Sequence, residues 1–359
     1  MKIGIIGGGQ LARMLILAGY PLGLDFAVLD PAPDACAGPL AEHLVAPYDD
    51  PEALARLADT CQVITYEFEN VSLEGLSRLQ DRARIHPPLT ALAESRDRLQ
   101  EKSLFRSLDI PTPPFVAIDS REDLAEAPKC LGWPFLVKTR RFGYDGKGQF
   151  LIRTAADMDA AWAELAGRPL IGEGFIPFDR EVSVIAVRRA SGETAFYPLS
   201  ENVHKSGILH LARCRPGDAA AAQAQEYARR LLERLDYVGV LALELFEVNG
   251  RLLANEMAPR VHNSGHWTIE GAEVSQFENH LRAILDLPLG GTEPVGHTAM
   301  VNFIGVLPAL ADVLAQPGVH CHFYGKAERP GRKVGHATVR AASAKALEAR
   351  LHHLLALLP

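Results

Sequence analysis

The side chains best suited to chemistry fall in a few short stretches. Glu244 interrupts the apolar run Val238-Gly239-Val240-Leu241-Ala242-Leu243-Glu244-Leu245-Phe246, and Glu256 closes the next apolar run, beyond Asn249-Gly250. A carboxylate in so apolar a strand is costly unless it meets a partner or a metal. Asn-Gly between two such runs signals a hairpin. Side chains alternate along a strand, so a regular hairpin with a two-residue turn would put positions 244 and 256 on opposite faces. A three-residue loop or a bulge would put both on one face, and that is the expectation. Two carboxylates sharing a face, completed by phosphate oxygens, suit Mg²⁺; Ca²⁺ asks for a fuller oxygen cage and zinc for His or Cys.

A lysine ends the stretch Trp133-Pro134-Phe135-Leu136-Val137-Lys138, and the glycine-rich segment Phe142-Gly143-Tyr144-Asp145-Gly146-Lys147-Gly148-Gln149 follows it. No G-K-[ST] is present, so this is not a Walker A loop. A glycine loop between two strands can instead fold over ATP phosphates as a lid, its N–H groups donating, while Lys138 neutralises phosphate charge. Glu173-Gly174-Phe175-Ile176 can offer backbone hydrogen bonds to an adenine edge, and Glu181 can accept from ribose hydroxyls. Taken singly, each of these is also what a plain hairpin turn or a solvated glutamate looks like.

Arg260, His262, Asn263, Ser264 and His266 crowd one short segment after the hairpin. One lone histidine there would read as a satisfied core residue. An arginine with neighbouring amide and hydroxyl donors reads as a seat for a small oxyanion such as bicarbonate. A last basic cluster, Arg329-Pro330-Gly331-Arg332-Lys333-Val334-Gly335-His336, suits a ribonucleotide phosphate if it folds over the cleft, and is otherwise a solvated loop. Near the N-terminus, Gly7-Gly8-Gly9-Gln10-Leu11-Ala12 fits G-x-G-x-x-A, with Asp30 after the next strand. That spacing alone reads as a dinucleotide fingerprint and an NAD(P) oxidoreductase. Because a second nucleotide site lies elsewhere, the preferred reading is that this loop, with Gln10, meets a second substrate at a helix N-terminus.

The elements that must position these groups are legible from periodicity. Residues 3–6, 26–29 and 61–66 read as strands and 10–19 and 52–59 as helices, a βαβ alternation that argues for a parallel sheet over 1–95. Ile110-Pro111-Thr112-Pro113-Pro114 cannot be helical and marks a boundary. A small α+β unit is expected over about 112–176, with strands at 135–138, 149–152 and 170–173 and a helix at 155–166. A larger sheet is expected over about 177–290, with strands at 182–187, 195–199 and 238–248 and a helix at 219–235. Asp286-Leu287-Pro288-Leu289-Gly290-Gly291 reads as a second linker before a C-terminal domain, 291–359.

Composition sets outer bounds. The chain has 359 residues, 48% hydrophobic and 23% charged, with a net charge of −7, a soluble globular balance with no basic excess for nucleic acid. No run approaches the roughly 20 apolar residues a membrane span needs, and the apolar run within residues 1–7 is too short to be expected to act as a secretory signal. The five cysteines are scattered without a C-x-x-C pair, which suits free thiols in a reducing cytoplasm.

In order along the chain, G-G-G-Q-L (7–11), Y-E-F-E-N-V (66–71), F-G-Y-D-G-K-G-Q (142–149), A-P-R-V-H-N-S-G-H-W-T (258–268) and R-P-G-R-K-V-G-H (329–336) are similar to the motifs of ATP-grasp ligases, and within them of the carboxylating branch of purine biosynthesis. The resemblance implies an ATP-grasp fold, α/β and α+β, with an N-terminal Rossmann-like parallel-sheet domain, an ATP-grasp region over 96–290 and a small C-terminal domain. It implies that bicarbonate is activated by ATP as carboxyphosphate and transferred to 5-aminoimidazole ribonucleotide, in a cytoplasmic homodimer. ATP contacts are implied at Arg98, Lys138, Gly143, Tyr144, Asp145, Gly146, Lys147, Gly148, Gln149, Glu173, Gly174, Phe175, Ile176, Glu181, His204, Asn255 and Glu256, and Mg²⁺ at Glu244 and Glu256. Tyr144, Asp145, Lys333 and Arg260 are the implied catalytic group, with Arg260, His262, Asn263, Ser264, His266, Arg332 and Lys333 toward bicarbonate and substrate, and Gln10, Glu67 and Asn70 toward the aminoimidazole. Ala258 stands where the superfamily's E-x-N pattern would place Asn. The rivals are a formate-using glycinamide ribonucleotide enzyme of the same fold and a nucleotide-binding regulatory module without turnover.

Overall fold

The computed structural model describes residues 1–143 and 148–358. Strands β1 (Lys2–Ile6), β2 (Asp25–Leu29), β3 (Glu42–Leu44), β4 (Val63–Tyr66) and β5 (Arg84–Ile85) form a parallel sheet in the order β3-β2-β1-β4-β5. Ile3, Ile5, Ile6, Val63 and Ile64 are fully buried, as central strands covered by helices on both faces require. The helix Gln10–Gly19 runs over the range expected for it.

The second sheet is antiparallel, β6 (Phe115–Ile118), β7 (Phe135–Thr139), β8 (Gln149–Ile152) and β9 (Leu170–Gly174), in the order β6-β9-β7-β8. Helices Arg121–Leu131 and Met158–Leu165 pack on it around Phe135, Val137, Ile152 and Leu165. The first of these helices starts at a reciprocal Ser120/Asp123 capping box, which satisfies two otherwise orphaned amides.

The third sheet has nine strands: β10 (Arg180–Arg188), β11 (Thr194–Phe196), β12 (Leu199–Lys205), β13 (Ile208–Arg215), β14 (Gly239–Val248), β15 (Arg251–Ala258), β16 (His297–Ile304), β17 (Val319–Phe323) and β18 (Lys333–Ala341). Its order is β15-β14-β10-β12-β13-β16-β18-β17, with β11 on β10. The single strand expected at 195–199 is instead β11 and the start of β12. The β12–β13 hairpin escaped the periodicity because Glu201, His204, His210, Arg213 and Arg215 interrupt its apolar positions. The C-terminal segment does not stand apart as its own layer, because β16 pairs with β13 and carries the same sheet onward.

Three buried contacts lock these parts together. Trp267 and Phe277 share the largest apolar cluster with Leu15 and Ile16 of the helix Gln10–Gly19. His280 bridges sheets: its Nδ1 accepts from Val240 N at 3.1 Å, so its Nε2 carries the proton given to Thr65 Oγ1 at 2.9 Å. Lys102, on the helix Arg98–Ser107, reaches Glu173 of β9 and the Ala254 carbonyl of β15. The five cysteines are free, and no helix among the described residues is long and apolar enough to cross a membrane.

Candidate active site

The hairpin β14–β15 turns through two residues, Asn249 and Gly250, both with positive φ (50° and 75°), which is the backbone twist an Asn-Gly turn favours. Val248 therefore pairs with Arg251, and the ladder stays regular to Leu245↔Ala254. A bulge then leaves Asn255 as the extra residue and sets Glu244 directly opposite Glu256. The three-residue loop is thus not used; the bulge alone brings both carboxylates to one face. Glu244 meets His262 Nε2 at 3.1 Å, and Glu256 meets Arg98 Nη1 at 2.9 Å. Burial would raise Glu244, but His262 first, then His204 and Lys333, hold it well below the usual carboxylate range.

This face forms one wall of a cleft of about 610 Å³ where the three sheets meet, a size suited to small substrates. From the lid sheet come Lys138, Gly143 and Gln149; from the large sheet Glu181, His204, Glu244, Asn255 and Glu256; from the helix Arg98–Ser107 comes Arg98. Arg260, His262, Asn263 and Lys333 line it from the far side, and Gln10, Glu67 and Asn70 from the parallel sheet. Tyr144, Asp145, Gly146 and Lys147 lie outside the described residues.

Several expected residues are not among those lining the cleft. Gly148, Gly174, Phe175 and Ile176 are not part of the lining, and neither is Glu173, whose carboxylate faces Lys138 at 3.1 Å and Lys102 at 3.3 Å. Burial alone would raise Glu173; Lys102, Lys138 and Arg98 outweigh it and bring it to about 2. His266 does not reach the oxyanion side. The short turn Asn263–Gly265 rotates it inward, fully buried, between Phe277 and His336 with ring centroids 5.5 and 4.9 Å away. Ser264 is also fully buried: its hydroxyl contacts Ser183 Oγ at 2.7 Å and His262 Nδ1 at 2.9 Å, so it orients His262 rather than facing the cleft. Arg332 turns to the Ala327 carbonyl at 3.2 Å, outside the lining.

The glycine motif at 7–9 is committed to the protein's own carboxylates. Gly8 N donates to Asp30 Oδ2 at 2.7 Å, Gly9 N donates to Glu67, and Ala12 N donates to Glu67 Oε2 at 2.9 Å. A Cβ on Gly9 would stand 2.5 Å from Glu67 Oε1, so glycine is what admits this carboxylate at the helix N-terminus. Asp30 also accepts from Tyr48 Oη at 2.9 Å. The two groups a dinucleotide would need, the loop amides and the acidic residue after β2, are thus spent on each other, which removes the NAD(P) reading.

Sequence reasoning missed several residues. Glu69 pairs with Arg260 Nη2 at 2.6 Å and lines the cleft. Gln276 clamps His262 by both backbone groups, accepting from its N at 2.9 Å and donating to its O at 2.6 Å. Phe178 and Phe246, the latter on β14 of the large sheet, stack at 4.8 Å and 9° and line the cleft. Glu101 lines the cleft, accepts from Met257 N at 2.7 Å, and is pushed well above its ordinary value by burial and then by Glu256. Only Glu69, inside the motif Y-E-F-E-N-V, carried a sequence signal; the others look like ordinary helix, strand or loop residues.

Comparison with known proteins covers nearly the whole chain. Residues 1–95 match the ribonucleotide synthetase preATP-grasp domain, 103–277 the ATP-grasp domain, and 298–350 the phosphoribosylaminoimidazole carboxylase C-terminal domain. An N5-carboxyaminoimidazole ribonucleotide synthase from Pseudomonas aeruginosa is 56% identical over 358 residues, covering 100% of this chain and 99% of its own. The chain belongs to the N5-carboxyaminoimidazole ribonucleotide synthase family of ATP-grasp ligases. Among solved structures of this family, the synthetase from Thermus thermophilus superposes with a TM-score of 0.95 at 57% identity, covering 99% of this chain and 98% of that one. The Aspergillus clavatus synthase in complex with ADP and 5-aminoimidazole ribonucleotide gives 0.92 at 33% identity, with 99% and 98% covered. The family's ATP-grasp ligase architecture is the one found here: an N-terminal parallel sheet, a small antiparallel sheet, and a large sheet that the C-terminal segment completes.

Proposed function

We propose that this chain carboxylates 5-aminoimidazole ribonucleotide with bicarbonate at the expense of ATP, giving N5-carboxyaminoimidazole ribonucleotide, ADP and phosphate in purine biosynthesis. The observation that carries it is the single cleft in which a buried lysine, an opposed glutamate pair and an Arg–His–Asn donor group face one another. Bicarbonate is a poor electrophile, and phosphorylation by ATP supplies a leaving group as carboxyphosphate.

ATP enters between the lid sheet and β10–β15. Lys138, held by Glu173, faces its phosphates, Glu181 with His204 takes the ribose, and the stacked Phe178 and Phe246 form an apolar floor. Glu244 and Glu256 fit a hard divalent cation: two carboxylates, opposite each other, each already held on one oxygen by a neighbour. Nucleotide oxygens would fill the remaining positions of a Mg²⁺ held by these two carboxylates. When bound, Mg²⁺ offsets charge on the transferred phosphoryl group. Arg260, with Glu69 holding one end of its guanidinium, His262 and Asn263 receive the bicarbonate oxygens. Gln10 and Asn70, with Lys333 from β18, take the ribonucleotide, while Glu67 caps the helix that carries Gln10. Asp145 is the proposed acid/base for the attacking amine, with Tyr144 and Lys333 orienting it. We place the enzyme in the cytoplasm as a homodimer.

ADP formation with each substrate omitted in turn tests the reading. ADP that requires both bicarbonate and the aminoimidazole supports it. ADP that instead requires formate and glycinamide ribonucleotide would establish the rival, which has no donor cluster built for bicarbonate in its favour here.

A further inference from the structure

Asn302 lies on β16, in the C-terminal segment, and no proposed step uses it. It is 1% exposed, behind the oxyanion side of the cleft. Its Nδ2 donates to the Leu209 carbonyl of β13 at 2.8 Å and to Asn263 Oδ1 at 2.6 Å, and its Oδ1 accepts from Asn263 Nδ2 at 3.2 Å. Directly across the ladder stands His336, with Tyr324 Oη on its Nδ1 at 2.7 Å and the His266 ring against it. The loop 262–266 thus rests on a buried platform supplied by the C-terminal strands.

The polarity of this amide pair follows from its far end. A backbone carbonyl can only accept, so the Asn302 group facing Leu209 must be the NH₂. The Asn302 carbonyl then faces Asn263, which must answer with its own NH₂, and its Oδ1 is turned toward Asn302. One Asn263 N–H is consumed in the pair, and the second remains for the cleft that Asn263 lines. We propose that Asn302 is a positioning residue: it makes Asn263 present an N–H rather than a carbonyl, and so makes this corner of the site select an oxyanion. With Asn263 free to flip, a carbonyl oxygen would face the anion for part of the time.

This inference rests on the oxyanion reading of the Arg260–Asn263 corner, and the test separates the two. KM for bicarbonate and for ATP is measured on the whole chain for Asn302→Ala, Asn263→Ala and the double variant, with thermal unfolding alongside. Asn302→Ala is expected to raise KM for bicarbonate about tenfold, the worth of one well-placed neutral hydrogen bond, and to leave KM for ATP within twofold. In the Asn263→Ala background it should add nothing, because it acts through that residue. Effects on bicarbonate that multiply in the double variant, or KM values for bicarbonate and ATP that rise together, overturn the proposal. Asn302→Leu, close in size and without a polar group, replaces the alanine variant if that fails to fold, with the same KM pattern expected; loss of fold in both also overturns it, since the role is then structural. Wild-type ADP formation that ignores bicarbonate would instead sink the oxyanion reading itself.

Discussion

Replacing Glu173 by Gln tests how the lid is held to the body. The carboxylate is 3% exposed and carries Lys138 and Lys102 on one oxygen, at 3.1 and 3.3 Å. The substitution keeps the shape and leaves two buried ammonium groups without their counter-charge. A carboxyl held at about 2 against an ordinary 4.5 corresponds to roughly 3 kcal/mol of stability at neutral pH, at about 1.4 kcal/mol per tenfold. The independent expectation for breaking a buried pair by removing one partner is about 3–5 kcal/mol, so the two agree. The sign with pH follows from the depressed value: the contribution is complete above about 4.5 and is lost as pH falls toward 2. Urea unfolding at pH 7 should show Glu173→Gln destabilised by about 3 kcal/mol, and KM for ATP should rise as Lys138 loses its anchor. Adding Lys102→Met removes one stranded charge and should recover part of the loss. A Glu173→Gln protein within 1 kcal/mol of the parent would refute the reasoning, because it would mean the lysines find water or another partner.

Glu244→Gln and Glu256→Gln should each lower kcat by about a hundredfold or more and raise the Mg²⁺ concentration for half-maximal rate; an unchanged Mg²⁺ titration would remove the metal assignment. Phe178→Ala takes away one face of the stacked pair and should raise KM for ATP by about five- to tenfold, with KM for bicarbonate constant in the same assay. His280 is buried and neutral, brought to about 3 by burial and then by His86. Because its folded value lies below its unfolded one, the unfolded chain binds the extra proton, so His280 costs stability progressively as pH drops below about 6.5. His280→Gln should flatten the pH dependence of the unfolding midpoint between pH 6.5 and 4, and an identical slope in both proteins would contradict this.

Local chemistry made much of this protein legible in one dimension. Alternating apolar runs and helical periods marked the parallel sheet, the Asn-Gly turn marked the hairpin, and the costly placement of Glu244 in an apolar strand announced a partner. The same chemistry misread residues whose role depends on direction. Within one short segment His262 and Asn263 face the cleft while Ser264 and His266 turn into the core, and the turn geometry that divides them has no counterpart in composition.

Three-dimensional packing alone decided the remainder. A single extra residue, Asn255, brings Glu256 opposite Glu244, and where a bulge falls depends on how two strands seat against their neighbours. The glycines at 7–9 look like a cofactor loop in sequence, but folding delivers Glu67 and Asp30 to their amides first. Asn302 and Gln276 are distant in sequence from the residues they hold, and only the continuation of one sheet into the C-terminal segment carries Asn302 to the site. Periodicity reports which side of an element is buried; it is blind to what lies on the other side of that contact.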